Sequence, residues 1–170
     1  MRVRPATEAD CPAIATTYLE SWRAGYRGLL SDADIETQAI QRSGKDWSAA
    51  LIQPDRVVLV AENDDGRIVG VAECEHEPEL GGRPWLQMLY VVPSASGTGA
   101  ATELLHAALA AVHDAGHRST WLEVVAKQVR ARCFYEREGF VQDQTMEPGS
   151  NGLVELLHYR HDQPAAVPEE

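Results

Sequence analysis

The sequence predicts an α/β fold of the α+β kind, in which a mixed, mostly antiparallel sheet carries one central parallel pair and is flanked by helices. Three observations carry that reading. Two apolar, β-branched runs, Arg56 to Glu62 and Arg67 to Glu75, are joined by Asn63-Asp64-Asp65-Gly66, a hairpin signature. A third strand begins at Trp85, and Pro93 can end it because proline has no N–H for the ladder. Beyond Gly97 and Gly99, Leu104, Leu105, Ala108, Leu109 and Val112 recur with helical spacing, and a further strand follows from Thr120 to Val125. A strand, helix, strand unit of this kind implies a parallel pair joined by a right-handed crossover.

Taken in order, Val3 and Arg4 precede Pro5, so the chain starts extended. Thr7 to Asp10 is a helix cap, and the helix it opens runs to about Gly25 with Ile14, Tyr18 and Trp22 on one side. Ser31 to Asp34 is a second cap, leading into a helix to about Gln41, and a short helix from Trp47 to Ile52 follows Gly44. After the hairpin, Glu77 to Pro84 is a turn that delivers the chain to the central strand. There Leu86, Met88 and Tyr90 are expected to alternate with Gln87, Leu89 and Val91. The long helix, Glu103 to His113, ends at Ala115-Gly116, and a later short helix, about Gln128 to Arg137, closes at Gly139. Phe140 to Met146, a turn at Glu147 to Gly152, and Leu153 to Tyr159 are expected to form a terminal hairpin. Gln163 to Glu170 is expected to be a disordered tail. No repeat or boundary interrupts residues 1–162, which are read as one domain.

At 170 residues, 44% hydrophobic and 24% charged, the chain is expected to be soluble and globular with a sizeable core. No apolar run is long enough to cross a bilayer and Met1 to Glu8 lacks a signal-peptide core, so cytoplasmic residence is expected. Cys11, Cys74 and Cys133 are odd in number and lack Cys-x-x-Cys spacing; they are read as reduced structural thiols, with neither a disulfide framework nor a metal site. A net charge of −11 argues against a nucleic-acid surface and suits a cationic partner. An anionic ligand would then be held mostly by backbone N–H groups and a few local cations, for which Arg118, Lys127, Arg130 and Arg132 are candidates.

The glycine loop has a chemistry of its own. The first N–H groups of a helix lack partners and carry the positive end of its dipole, which suits a phosphate. Gly97 and Gly99 can equally make only a tight strand-to-helix turn. No Gly-Lys-Ser/Thr follows, and Gly97 to Thr102 lacks the third glycine of a dinucleotide fingerprint, with no acidic residue in place roughly 20 residues on. Another phosphate ligand is needed.

Leu89-Tyr90-Val91-Val92-Pro93, followed by Ser96 to Ala101, resembles the strand and pyrophosphate loop, of form Arg/Gln-x-x-Gly-x-Gly/Ala, of the GNAT superfamily of acetyl-CoA-dependent N-acetyltransferases. Leu122 to Val124, Ala131, Phe134-Tyr135-Glu136 and Gly139-Phe140 resemble the family's second motif; Ser21 to Leu30 and Ile68 to Gly70 add weaker likenesses. The resemblance covers nearly the whole chain. It implies a mixed sheet of about seven strands and acetyl-CoA as cofactor, with CoA as product. The pyrophosphate would lie on the N–H groups of Gly97, Thr98, Gly99, Ala100 and Ala101, beside Ser96. The pantetheine arm would pair with the backbone of Leu89, Tyr90 and Val91, and one of those N–H groups would polarise the thioester carbonyl. The second motif brings Phe134 and Gln128 to the cofactor and assigns Tyr135 as the acid that protonates the leaving thiolate. Two departures stand out, Ser96 in place of Arg or Gln and Gln128 in place of Asn, so weaker cofactor affinity is expected. They keep open a non-catalytic, acyl-CoA-binding regulatory module of the same fold.

The acceptor amine must lose a proton, with a carboxylate as the usual aid. Glu73, Glu75 and Glu123 are the candidates, while Gln87 cannot do that work. Period two puts Glu73 and Glu75 on one face, which either lines the cleft or is solvated. Trp22 and Tyr26, with Glu75, are expected to line a substrate entrance; the alternative is that both aromatics belong to the core. No activating His lies near Cys133 in sequence, so direct transfer in a ternary complex is expected rather than a covalent enzyme intermediate. The acceptor is expected to be a small-molecule or peptide amine, of polyamine, aminoglycoside or peptide N-terminal type, and neither nucleic acid nor membrane is expected as a partner. The terminal hairpin offers an edge that could pair in a homodimer.

Overall fold

The computed structural model describes residues 1–77 and 82–163. The elements run β1 (Arg2–Pro5), α1 (Cys11–Tyr26), α2 (Asp32–Ser43), α3 (Trp47–Leu51), β2 (Arg56–Glu62), β3 (Ile68–Glu77) and β4 (Arg83–Val91). Then come α4 (Ala100–Asp114), β5 (Ser119–Val125), α5 (Val129–Arg137), β6 (Val141–Gln142), β7 (Gly149–Ser150) and β8 (Glu155–Asp162). The expected turn at Glu77 to Pro84 falls largely on residues 78–81, and the expected tail on residues 164–170, both outside the described residues.

The sheet has eight strands in the order β1-β2-β3-β4-β5-β8-β6, with β7 also on β8. All described neighbours are antiparallel except β4 and β5, which run parallel and meet at a single register pair, Trp85 with Trp121. Beyond that rung the two strands part.

Helices cover both faces. On one, α4 packs Leu104, Leu105, Ala108, Leu109 and Val112 against Leu59, Ala61, Ala72, Leu86, Leu122 and Val124. On the other, Ile14, Tyr18 and Trp22 of α1 pack on Val58, Val60 and Val71, with Ile35 of α2 and Trp47 of α3 beside them. Val58 and Val60 face one helix layer while Leu59 and Ala61 face the other, which is why β2 reads as a continuous apolar run. Leu104 and Leu105 are both fully buried, at about 2 kcal/mol each, and that burial seats α4 with its N-terminus at the end of β4.

Two expectations are corrected. The alternation along β4 is broken by a bulge: Glu73 pairs with Met88 but Cys74 pairs with Leu86, leaving Gln87 as the extra residue. Leu86 therefore joins the α4-side core, Met88 and Tyr90 the α1 side, and Leu89 and Val91 the α4 side again. The terminal hairpin is also much reduced, since β6 holds two residues and β7 lies inside the expected turn. Asp143 is the physical reason. Its carboxylate is buried and accepts from the Thr145 N–H at 3.0 Å, the Thr145 hydroxyl at 2.6 Å and Trp121 Nε1 at 3.1 Å, a local turn that pulls the chain out of the ladder.

Asp143 also carries a prediction. The Thr145 hydroxyl, with Trp121 and the Thr145 N–H, holds its carboxyl below the usual range against an opposing desolvation. The folded carboxyl thus binds its proton less tightly than the unfolded one, so its contribution is complete above about pH 4 and is lost as pH falls through the folded value. Asp143→Ala is expected to lower stability by about 2 kcal/mol at pH 7, and the gap between the urea midpoints of variant and wild type should narrow as pH falls through the folded value.

Candidate active site

The site is built where β4 and β5 diverge. Val92 leads through a short 3-10 turn, Pro93–Ala95, into Ser96, Gly97, Thr98 and Gly99, and Gly99 caps α4 with a left-handed backbone, φ +92°. Gly97 is also left-handed, at φ +81°, and the space a Cβ would take there is open, so the chain comes to the surface as bare backbone. Thr98 N–H is engaged by Ala95 O at 3.4 Å, whereas the first bond into α4 is Glu103 N–H to Gly99 O at 2.9 Å. The amides of Ala100 and Ala101 therefore project from the helix end without an intrahelical partner. That is a cradle suited to a phosphate.

Of the four candidate cations, one reaches this loop. Arg130, at the start of α5, donates from Nη2 to the Ser96 hydroxyl. Arg132 instead donates to Tyr159 Oη at 3.1 Å and to Ala126 O at 3.3 Å, Arg118 donates to Gln163 O, and Lys127 is exposed. The charge absent at Ser96 is thus brought from a helix 34 residues further on. Gln128 donates from Nε2 to Gly25 O at 2.8 Å, fastening the end of α1 to the start of α5.

Leu89, Tyr90 and Val91 lie on the part of β4 that β3 alone pairs. Tyr135 of α5 and Phe134 pack against the α4-side core, with Tyr135 edge-on to Phe134 and Phe140 at 5.2 and 5.5 Å between ring centroids. Burial, reinforced by the nearby Cys74 thiol, pushes the Tyr135 phenol well above its ordinary range, so it stays protonated. Among the described residues its hydroxyl has no hydrogen-bond partner. Burial likewise pushes Cys74 up to about 12, so it is an un-ionised core thiol; Cys133 is exposed on α5, and all three cysteines are free.

The opposite, α1-side face carries the carboxylates. Glu73 is fully buried and ion-paired with both Lys45 and Arg56, and Arg56 reaches Glu75 as well. Neither a solvated strand face nor a free proton acceptor describes a carboxylate clamped between two cations. Glu123 lies between Leu122 and Val124, which face α4, so it points to the α1 side. Its side chain is 44% exposed and accepts from His158 Nε2 at 3.0 Å. The tautomer with the proton on Nε2 follows from that acceptor. His158 is buried, edge-on to Trp85 at 5.8 Å, and its Nδ1 has no partner. Sequence reading missed His158. Its only signal was the β5–β8 register, which places it directly across from Glu123.

Trp22 is not at an entrance. With 1% exposure it is a core residue, because the helical spacing that aligns it with Ile14 and Tyr18 points it at the sheet. Tyr26 is half-buried and stacks on Trp22, with 4.7 Å between ring centroids. A cleft of about 460 Å³ is lined by Tyr18, Arg42, Lys45, Glu73, Gln87 and Tyr90 among others.

Residues 15–140 match the model of the Acetyltransferase (GNAT) family. An uncharacterised N-acetyltransferase of Mycobacterium tuberculosis is 41% identical over 94 residues, which are 53% of this chain and 56% of that protein. A mycothiol acetyltransferase of Paenarthrobacter aurescens is 30% identical over 122 residues, 70% of this chain and 35% of that protein. The chain thus spans about half, or less, of the curated relatives it matches. The crystal structure of a PaiA N-acetyltransferase from Thermoplasma acidophilum, in complex with coenzyme A, superposes with a TM-score of 0.79 at 19% identity, covering 95% of this chain and 98% of that one. Among the described residues no helix is long and apolar enough to cross a membrane. Since the family model takes in α1, the glycine loop, the β4–β5 divergence and Tyr135, the chain belongs to the GNAT acetyltransferase family.

Proposed function

We propose that the protein transfers the acetyl group of acetyl-CoA directly to a primary amine, with both substrates bound together. One observation carries this reading: the acid and the base candidates flank the β4–β5 divergence from opposite faces, Tyr135 on the α4 side and Glu123 on the α1 side. An amine entering from the α1 side and a thiol leaving toward α5 would never compete for the same space.

The residues fit a phosphate-bearing thioester. Gly97, Gly99, Ala100 and Ala101 offer N–H groups at the end of α4, Gly97 with a left-handed backbone that a side chain would strain, and Arg130 supplies the cation. The thioester, when bound, supplies the activated acetyl group. A β4 amide at Leu89 to Val91 would polarise its carbonyl. The Glu123 carboxylate, oriented by His158 Nε2–H, takes the proton of the attacking amine as the C–N bond forms. As the C–S bond breaks, Tyr135 gives its proton to the thiolate sulfur and is then reprotonated from solvent. Glu73, neutralised by Lys45 and Arg56, holds the floor of the acceptor cleft instead of moving protons.

Two measurements test this. Arg130→Gln is expected to raise the Kd for CoA about tenfold, the loss of one charge-assisted hydrogen bond, and Ser96→Arg in the same chain to restore most of it. Calorimetry at fixed salt reads both, and an unchanged Kd removes Arg130 from the phosphate site. Tyr135→Phe and Glu123→Gln should each lower kcat by about 10²-fold or more while leaving the acetyl-CoA Kd within about twofold. Intact binding of acetyl-CoA with no turnover by the wild type would favour the non-catalytic module instead.

A further inference from the structure

We infer that the acceptor is an amine that also carries a carboxylate, an amino acid or a close relative, with that carboxylate held by Arg42 at the α1 side of the cleft; this rests on the acetyl-transfer reading above.

The net charge of −11 argues for a cationic acceptor, yet the cleft has a different balance. Lys45 and Arg56 are matched by Glu73 and Glu75 in one ion-paired cluster. Arg42 is left over. Among the described residues it has no carboxylate partner: Nη1 donates to the Tyr18 hydroxyl at 3.0 Å, the guanidinium lies 4.8 Å from the centre of the Trp22 ring, and Nε is buried without a partner. A guanidinium has five N–H donors in a planar fork that matches a carboxylate, and the one recorded hydrogen bond goes to a neutral hydroxyl. The remote surface carboxylates do not cancel it, because exposed charges are screened beyond about 10 Å at ordinary salt.

The surroundings of Arg42 suit the same ligand. Tyr26 and Tyr90 both feel its charge, and burial pushes both phenols above their ordinary range, so they remain donors. Tyr90, on β4 past the Trp85–Trp121 rung, lines the same cleft as Arg42. A short bifunctional molecule can then set its carboxylate on Arg42 and its amine at the divergence of the strands. A cleft of about 460 Å³ is of the size that takes a small molecule.

The test is steady-state acetylation of a panel of α-amino acids, each assayed beside its carboxamide and its decarboxylated amine. Acids are expected to exceed both partners in kcat/KM by about 100-fold, mostly through KM. Arg42→Met should erase that difference, Arg42→Lys should restore part of it, and neither should change the acetyl-CoA Kd. A second readout is tryptophan fluorescence, since Trp22 lies under Arg42: titrating the best acid into the CoA-bound protein should move the signal saturably, and its amide should not. Equal rates for acid and amide, or an Arg42→Met variant that still prefers the acid, would overturn the inference while leaving acetyl transfer intact. Failure of acetyl-CoA to bind would remove the acetyl-transfer reading, and the fluorescence titration of the free protein would still decide whether Arg42 takes a carboxylate. If a variant misfolds, the wild-type comparison of acid with amide decides.

Discussion

The single rung between Trp85 and Trp121 is the constraint on which the site depends. A parallel pair buried between helix layers normally continues for the length of its strands, because each unmade rung leaves backbone groups to be satisfied elsewhere. Here it stops after one pair. Two features keep the strands apart: the bulge at Gln87 turns β4, and the Asp143 turn holds Trp121 from the far side of β5. Past the rung, among the described residues, the register of β4 continues with β3 and that of β5 with β8, so the two strands open a gap between them. An extended ligand that can hydrogen-bond like a strand is the natural occupant of such a gap.

Charge in this molecule is local. The net −11 says little about either side of the site, since cations converge on both. Arg130 stands over the glycine loop, and Arg42, Lys45 and Arg56 line the cleft on the α1 side. The ion-paired Glu73 illustrates the difference between a carboxylate that is present and one that is available. Removing both of its cations would leave a buried charge unpaired, a costly state, and the two ion pairs tie the loop before α3 and strand β2 to β3 through Glu73.

What could be read from the sequence was whatever a window of a few residues contains. The hairpin at Asn63 to Gly66, the Ser31 cap that accepts from Asp34 N–H at 3.1 Å, and the glycine junction at Gly97 to Gly99 are local devices and stand where expected. The bulge at Gln87 has no local mark, because nothing in Leu86-Gln87-Met88 distinguishes a bulged residue from a paired one. The site's side-chain pairs were equally hidden. Glu123 and His158 are 35 residues apart, Ser96 and Arg130 are 34 apart, and Lys45 and Glu73 are 28 apart. Each exists only once strand order and register are set, so the identity of the family was legible while the wiring of its site was not.

That wiring brings to the glycine loop a cation that the loop's own sequence lacks. A cation at position 96 would sit on the loop itself, whereas Arg130 approaches from α5, the same helix that carries Tyr135. In the proposed mechanism, phosphate binding and proton donation share one nine-residue helix. That helix is fastened at its start by Gln128 to the end of α1, whose last residue, Tyr26, stacks on Trp22. The hydrogen bond from Gln128 to Gly25 therefore joins the start of α5 to the end of α1. In the proposed reading the two halves of the site are joined by the Gln128 side-chain amide, an arrangement that suits direct transfer between ligands bound together.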